Sequence, residues 1–172
     1  GGFNTYFALN GNNAATVTTN GFTITGGLVQ PNDDTAFGAA ALPVTLTGTG
    51  GLIVTNNLTK TLPATRSITL AAGANATFRT WGNSFMNLNG VISGPGGMHI
   101  TDGGTVTLGA VNTFLGNVNV AGGTLKYAIN NALPYGVGKG DVTVGATLDL
   151  AGFTGNINGL NGGGSVNNSA AT

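Results

Sequence analysis

Short runs of alternating apolar and polar residues recur along the whole chain, and glycine, asparagine or aspartate bounds most of them. Alternation with a period of two is typical of half-buried strands, because successive side chains of a strand point to opposite faces. The runs come in pairs: Met98 and Ile100, for example, precede Val106 and Leu108. The pattern therefore predicts many short β-strands, arranged in a repeating two-strand unit.

Seven such units follow one another at intervals of roughly 20 to 27 residues, and a period in this range indicates a solenoid of stacked coils. Two-residue Asn-Gly or Asp-Gly hairpin turns between long strands are sparse, which disfavours an antiparallel barrel or sandwich. The apolar positions of the units are Val17 with Phe22/Ile24, Val44/Leu46 with Leu52/Val54, Ile68/Leu70 with Phe78, Met98/Ile100 with Val106/Leu108, Val118/Val120 with Leu125/Tyr127, Val142/Val144 with Leu148/Leu150, and Ile157 with Val166.

We therefore predict an all-β fold, a parallel β-solenoid of about seven coils. Residues 1–172 are expected to form one solenoid domain, with divergent coils over 1–87 and regular coils over 88–172. Variable spacing between units fits this fold, because extra residues can leave the coil through loops without disturbing the core.

Glycine-containing linkers are expected to turn the corner between the two strands of a coil, since glycine adopts positive φ without strain. These linkers are residues 102–104, 121–123 and 145–146, and a threonine follows each of them. In register, the threonines would stack about 4.8 Å apart as a ladder. They are Thr105, Thr124 and Thr147.

Composition supports a β-rich chain and excludes several functions. Glycine supplies 32 of 172 residues, only 6% of residues are charged, and glutamate is absent, so the charged residues that usually form surface helices are scarce. The net charge is zero, which gives no basic field for nucleic acid or anionic lipid. The absence of cysteine excludes disulfides, thiolate metal sites and cysteine nucleophiles.

The ends of the sequence predict a processed or excised segment. The chain begins "GGFNTYFALN", without an initiator methionine or a signal-peptide pattern, and contains no run of eighteen apolar residues. We expect no membrane insertion by this segment. We also expect either a piece of a longer chain or a filament subunit whose open ends stack head to tail.

The regular half resembles the passenger-associated repeat of bacterial autotransporters, also called the autotransporter-associated β-strand repeat. The resemblance rests on "ISGPGGMHITDGGTVTL", the "NTFLG" step, "VAGGTLKY", and "GDVTV" before "ATLDLAGF", and it covers residues 88 to about 168. Upstream, only "LTGTGGLIVTNN" is similar. The shorter corner Val144-Gly145-Ala146 departs from the family pattern. The resemblance implies a right-handed solenoid outside a Gram-negative-type cell, and it implies no particular reaction.

The single histidine, His99, and Asp102 are the first candidates for chemistry. In "MHIT", alternation places Met98 and Ile100 in the core and turns His99 outward with Thr101. A metal site would need a second histidine, a cysteine or a glutamate nearby, and Asp102 lies across the corner. We therefore interpret His99 as an exposed residue of a structural coil and assign no catalytic, cofactor or metal residue.

A polysaccharide lyase or hydrolase is the alternative that needs clustered carboxylates on one face. Asp33 and Asp34 lie in a predicted loop, Asp102 and Asp141 lie at strand edges, and Asp149 is alone on its strand. The sequence predicts no such cluster, although distant aspartates could converge in the fold. We therefore predict that the chain is not an enzyme, with a polysaccharide lyase or hydrolase as the less favoured interpretation, and we expect no cofactor.

Three further patterns yield specific predictions. Lys126 and Asp149 occupy equivalent positions in adjacent coils and are expected to form an exposed ion pair. "KGD" at 139–141 lacks the Ser/Thr and helix of a phosphate loop and is interpreted as a turn. The sequons at Asn57, Asn75 and Asn167 are interpreted as chance matches in a chain rich in asparagine and threonine.

Trp81, Phe85 and Met86 form the densest bulky cluster, which we interpret as core or cap, with a sugar-stacking platform as the alternative. Taken together, the sequence predicts a structural scaffold of the cell surface or the extracellular space, a stalk, fibre or passenger segment without intrinsic catalysis. The alternatives are a carbohydrate-active or carbohydrate-binding β-helix, and an adhesin that contacts a polysaccharide or a neighbouring or host cell through loops 26–43 or 128–140.

Overall fold

The structure, a computed structural model, describes the backbone of residues 6–9 and the full residues 21–39 and 41–169. Within these ranges the chain forms eighteen strands and one short 3₁₀ helix, η1 (Asp34–Phe37), and every strand pair is parallel. The predicted all-β solenoid of about seven turns is confirmed. Its right-handed sense stays a prediction.

The strands belong to three parallel sheets, each of which forms one side of the solenoid. Sheet A contains β1 (Tyr6–Leu9), β3 (Leu28–Pro31), β5 (Gly51–Val54), β8 (Asn75–Thr80), β11 (Gly97–Thr101), β13 (Val118–Val120), β15 (Val142–Val144) and β17 (Leu160–Asn161). Sheet B contains β2 (Phe22–Ile24), β4 (Val44–Leu46), β7 (Ile68–Leu70) and β10 (Ile92–Ser93). Sheet C contains β6 (Thr59–Leu62), β9 (Phe85–Leu88), β12 (Thr105–Leu108), β14 (Thr124–Tyr127), β16 (Thr147–Asp149) and β18 (Ser165–Asn167).

A complete coil passes through sheets B, A and C in that order, and the next coil repeats the path one strand spacing further along. Equivalent apolar residues therefore lie in register: Met98 faces Ala76 on one side and Val118 on the other. The spacing between paired residues varies from 18 positions (Val142 to Leu160) to 26 (Leu52 to Phe78). Loops absorb this variation, so the register of the strands is kept.

The inward side chains of successive coils stack into one apolar core along the solenoid axis. Met98, Ile100, Val106 and Leu108 are all fully buried, as the alternation predicts. Burying such a side chain stabilises the fold by about 1.5–3 kcal/mol. The same core includes Leu46, Leu52, Phe78, Leu88, Phe114, Val120, Leu125, Tyr127, Val144 and Leu148.

The two-strand repeat unit predicted from the sequence is wrong in the first half of the chain, because a third sheet is present. The predicted units at Val44 and Ile68 join a strand of sheet B to one of sheet A, whereas the unit at Met98 joins sheet A to sheet C. Alternation did not reveal β6 or β10, since β6 carries one buried apolar residue, Leu62, and β10 is only two residues long. The third strand of these coils was therefore missed.

Two smaller expectations also change. The final strand of sheet A is Leu160–Asn161, and Ile157 lies in the connection before it. The predicted loop 26–43 contains β3 and the helix η1, so part of it belongs to the stacked coils. Val17 lies outside the described residues.

The corners follow the prediction in part. Gly123 has φ +63°, as expected for a glycine corner, but at the 102–104 corner the positive φ of 67° belongs to Asp102. Glycine is needed at position 104 for space, because a Cβ there would lie 2.3 Å from the Ser84 carbonyl oxygen. The corner at 145–146 contains no residue with positive φ, so it turns without the conformation that we expected.

A fully buried arginine fastens the connection that leaves the solenoid between β3 and β4. The guanidinium of Arg66 donates to both carboxylate oxygens of Asp34, with its Nε 2.7 Å from Asp34 Oδ1. It also donates to the carbonyl oxygens of Gly38 and Leu42, at 2.9 and 2.6 Å. A buried charge is costly unless it is paired and hydrogen-bonded. These contacts therefore hold the connection against the segment between β6 and β7 that carries Arg66.

A buried asparagine replaces strand pairing where sheet B ends. Asn112 lies one coil after β10, the last strand of sheet B. Its Oδ1 accepts a hydrogen bond of 2.7 Å from the Ile92 N–H. Its Nδ2 donates to the carbonyl oxygens of Ala110 and Ala132, the latter at 2.8 Å in the following coil. One side chain thus joins three successive coils and satisfies backbone groups that have lost their strand partners.

Substitution of Asn112 by alanine should therefore be strongly destabilising for a single polar residue. In Asn112→Ala the buried Ile92 N–H loses its acceptor, so we expect the free energy of unfolding to fall by about 2 kcal/mol. Urea denaturation followed by circular dichroism measures this loss. The matched control is Asn119→Ala on the exposed face of β13, which should change stability by less than about 0.5 kcal/mol. Equal effects of the two substitutions would contradict the bridging role.

Candidate functional site

The outer face of sheet A carries a polar column in which the histidine stands between a threonine and an asparagine. Thr77, His99, Asn119 and Thr143 are paired in register on four neighbouring strands. His99 is half-buried on this outer face, while Met98 and Ile100 are in the core, as predicted. Within the described ranges, no group of three metal-ligating side chains is present.

Asp102 does not act together with His99, because its carboxylate is bound to an arginine of the preceding coil. Arg79 Nε donates to Asp102 Oδ2, and the two side chains are only 13% and 29% exposed. The Arg79 guanidinium also lies over the ring of Trp81, with its carbon 5.4 Å from the ring centroid. The corner thus holds a chain of contacts, from carboxylate to guanidinium to indole.

The aspartates that a lyase or hydrolase would need do not converge in the structure. Asp33 caps η1, where its Oδ1 accepts a hydrogen bond of 2.9 Å from the Thr35 N–H. Asp34 is paired with buried Arg66, and Asp141 is exposed before β15. The hydrogen bond from the Thr35 side chain holds the pKa of Asp33 below its ordinary value, so this carboxylate acts as a cap.

The predicted register between Lys126 and Asp149 is confirmed, since the two residues are directly paired in sheet C. Their charged atoms lie 4.0 Å apart, with the lysine side chain 41% exposed and the aspartate 11% exposed. Asp149 is more enclosed than expected, because Ser169, which follows β18, contacts its carboxylate. The Ser169 hydroxyl donates to Asp149 Oδ2 at 2.6 Å, and the N–H groups of Ala151 and Ser169 donate to Oδ1.

The threonine ladder is also confirmed. Thr105, Thr124 and Thr147 are paired in register, and the ladder continues to Phe85 in one direction and to Ser165 in the other. The short corner at 145–146 therefore does not disturb the register of the coils.

The bulky cluster near the boundary between the divergent and regular halves divides between core and surface. Met86 is buried, as predicted for a core residue. Trp81 and Phe85 are not core residues, because they are 57% and 45% exposed. Phe85 and Met86 are neighbours in β9, so alternation places them on opposite faces, and Trp81 lies at the corner before β9. Phe85 and Met86 therefore both belong to a regular strand of sheet C.

The "KGD" turn is built into the connection between β14 and β15. Lys139 Nζ donates to the Thr113 carbonyl oxygen at 2.6 Å, and the Asp141 N–H donates to Asn117 Oδ1 at 3.0 Å. These contacts fix the turn against the preceding coil. Val137, at the tip of this connection, is fully exposed.

Shallow grooves lie along the outer surface, and the most distinctive one contains Trp81. A groove of about 440 Å³ follows the glycine-rich edge between sheets B and A, lined by Gly96, Gly116 and Asn117 among others. A groove of about 420 Å³ is lined by Thr55, Asn56, Asn57, Trp81 and Gly82.

A third groove, of about 350 Å³, lies over sheet C near Phe85, Lys126 and Phe153. Tyr127 borders it, and burial raises the pKa of its hydroxyl to about 12.

Over the part of the chain that the structure describes, no helix is long and apolar enough to cross a membrane.

The contacts of Asp149 predict how stability depends on pH. Desolvation opposes ionisation of this carboxyl, but the hydrogen bonds from Ser169 and Ala151, with Lys126 nearby, outweigh it and hold its pKa below the ordinary value of 3.8. The stabilisation is therefore complete only well above the unfolded-state pKa, at about pH 5 and higher, and it is lost as the pH falls through the lowered pKa.

In Asp149→Asn, we expect the free energy of unfolding at pH 7 to fall by about 1 kcal/mol, and this difference from the unsubstituted protein to vanish at strongly acidic pH. Urea unfolding over a pH series measures both quantities. Asp141→Asn, at an exposed aspartate, is the matched control and should change the free energy of unfolding at pH 7 by less than about 0.5 kcal/mol. A difference that persists undiminished in acid would show that ionised Asp149 does not fasten the last coil.

Comparison with known proteins gives one relative. Over 122 residues, which are 71% of this chain, the sequence is 31% identical to a segment of the Adhesin BmaC autotransporter of Brucella suis biovar 1 (strain 1330). The chain spans 4% of the length of that relative. No family model and no solved structure matches the chain. The chain is therefore weakly homologous to part of an autotransporter adhesin, and its β-solenoid fits a passenger-type repeat.

Proposed function

We propose that this chain is a non-catalytic spacer segment in the exported part of a Gram-negative cell-surface protein, and that its regular half consists of passenger-associated repeats. The observation that carries the proposal is the continuous, in-register stack of eight parallel strands in sheet A. Such a stack has a length set by the number of coils, because each coil contacts only its neighbours. At about 4.8 Å per strand, the segment spans about 35 Å.

The arrangement of polar groups supports a structural role for the carboxylates. Asp34 is paired with Arg66, Asp102 with Arg79, and Asp149 with Lys126. Each pair joins residues of different coils or fastens a connection to a coil. The charges are therefore placed where they hold the stack together, and the 1–172 segment is proposed to act as one solenoid domain.

Cell-surface placement is supported by the relative, which is an autotransporter adhesin by name. Apolar side chains on the last described coil support the proposal that a further coil can stack on it. Leu160 and Val166 are 54% and 48% exposed, whereas Val142 and Leu148, their partners in the preceding coil, are buried. Stacking of another coil, from the same polypeptide or from a second copy, would cover both side chains.

One experiment tests both the location and the spacer role. The protein that carries this chain is given a short epitope after Val137, at the exposed tip of the connection before β15, and is probed by antibody on intact and permeabilised cells. A second form duplicates residues 98–117, which is one whole coil in the observed register, and a matched control duplicates only residues 98–107.

We expect the epitope to be detected on intact cells in the parent and in the whole-coil form, because an added coil only lengthens the stack. The half-coil control should lose at least about tenfold of this signal, since it offsets every later strand. Detection only after permeabilisation would contradict the location. Equal loss in the whole-coil and half-coil forms would contradict the spacer role.

A further inference from the structure

Trp81 combines high exposure with a fixed position, which is unusual for the largest apolar side chain of a protein. Its side chain is 57% exposed and forms one wall of a groove of about 420 Å³. This volume lies within the range of about 300–1,000 Å³ that is typical of small-molecule sites. The groove lies at the corner between sheets A and C, between the ends of β5 and β8.

The indole is held in place before any ligand arrives. The Arg79 guanidinium lies over the ring at 5.4 Å from its centroid and is itself anchored by Asp102 of the next coil. The Ser84 hydroxyl donates to the Trp81 carbonyl oxygen at 2.6 Å, which fixes the backbone of the corner. Because the ring is already ordered, a ligand that stacks on it loses little of its binding energy to ordering the site.

The remaining lining is uncharged and rich in hydrogen-bonding groups. Asn56 and Asn57 both have positive φ, 61° and 56°, and stand side by side at the groove. Asn57 Oδ1 accepts a hydrogen bond from the Asn83 N–H, so its Nδ2 is left as a donor. The Asn56 amide takes part in none of the hydrogen bonds found among the described residues, so it offers both a donor and an acceptor.

We propose that this groove binds a sugar unit of a neutral polysaccharide. The apolar face of a pyranose ring would stack on the indole, and its hydroxyl groups would bond to the amides of Asn56 and Asn57. The charge of Arg79 is matched by Asp102, so the groove carries no net charge that would select an anionic sugar. A hydrophobic protein segment fits less well, because Trp81 supplies the only aromatic surface among the five lining residues.

This site adds a binding activity to the spacer role and does not depend on it. If the groove bound no saccharide, the proposed spacer function would still stand. If the chain proved not to be at the cell surface, the saccharide site would still stand. The two proposals can therefore fail separately.

The chain contains a single tryptophan, so indole fluorescence, excited selectively over that of the three tyrosines, reports on this groove alone. The probes are cellohexaose, laminarihexaose and chitohexaose, three neutral oligosaccharides, with oligogalacturonate as the anionic comparison. We expect a saturable change in fluorescence with at least one neutral probe, confirmed by isothermal titration calorimetry. The affinity for that probe should not depend strongly on salt, since the proposed contacts are neutral.

Two substitutions and one control assign the binding to the groove. Trp81→Ala should weaken binding at least about tenfold, and Asn56→Gly, which keeps the positive φ available, should weaken it several-fold. Phe85→Ala removes another half-exposed aromatic that does not line the groove, and it should leave the affinity unchanged. Circular dichroism confirms that each variant is folded.

Three results would overturn the proposal. The first is the absence of saturable binding by all three neutral probes. The second is tighter, salt-sensitive binding of oligogalacturonate, which would indicate an anion site. The third is unchanged affinity in folded Trp81→Ala, which would place the binding elsewhere.

Discussion

In-register parallel stacking is the constraint on which the rest of the structure depends. Each strand of a coil finds its backbone partners in the coils on either side, so an offset of one residue would turn every apolar side chain of that strand outward. The pairing of Met98 with Ala76 and Val118 shows the register being kept across loops of different length. Because the strands are only two to six residues long, stability comes from their sum along the axis.

Polar side chains maintain the stack wherever strand pairing is interrupted. Asn112 joins three coils beyond the end of sheet B, Arg66 fastens the connection that contains η1, and Asp149 binds the returning chain at Ser169. Asn112 and Arg66 satisfy buried groups that would otherwise lack a partner, whereas Asp149 fastens an exposed segment of the last described coil. Three of the five aspartates, Asp34, Asp102 and Asp149, form ion pairs at joints between coils or connections, so a few charges suffice to fasten the stack.

The sequence predicts the repetitive part of the fold well and the exceptions poorly. Alternation identified Met98/Ile100 and Val106/Leu108 as core and predicted the pairing of Lys126 with Asp149, because register in a stacked coil follows directly from repeat alignment. It missed β6 and β10, which are too short or too polar to show a period of two. It also missed buried Arg66 and Asn112, whose partners in other coils lie 20 or more residues away. It placed Trp81 in the core, since bulk alone does not reveal the outer side of a corner.

A rigid, register-locked rod explains both the spacer role and the fixed position of the Trp81 groove, and one distance tests it directly. Thr59 and Ser165 are exposed and lie in one column of sheet C, five strand spacings apart. The chain has no cysteine, so spin labels attached in Thr59→Cys/Ser165→Cys report on this pair alone. Pulsed electron spin resonance should give a single narrow distance distribution centred at about 24 Å. A broad distribution, or a centre displaced by more than one strand spacing, would contradict the stacked-coil structure.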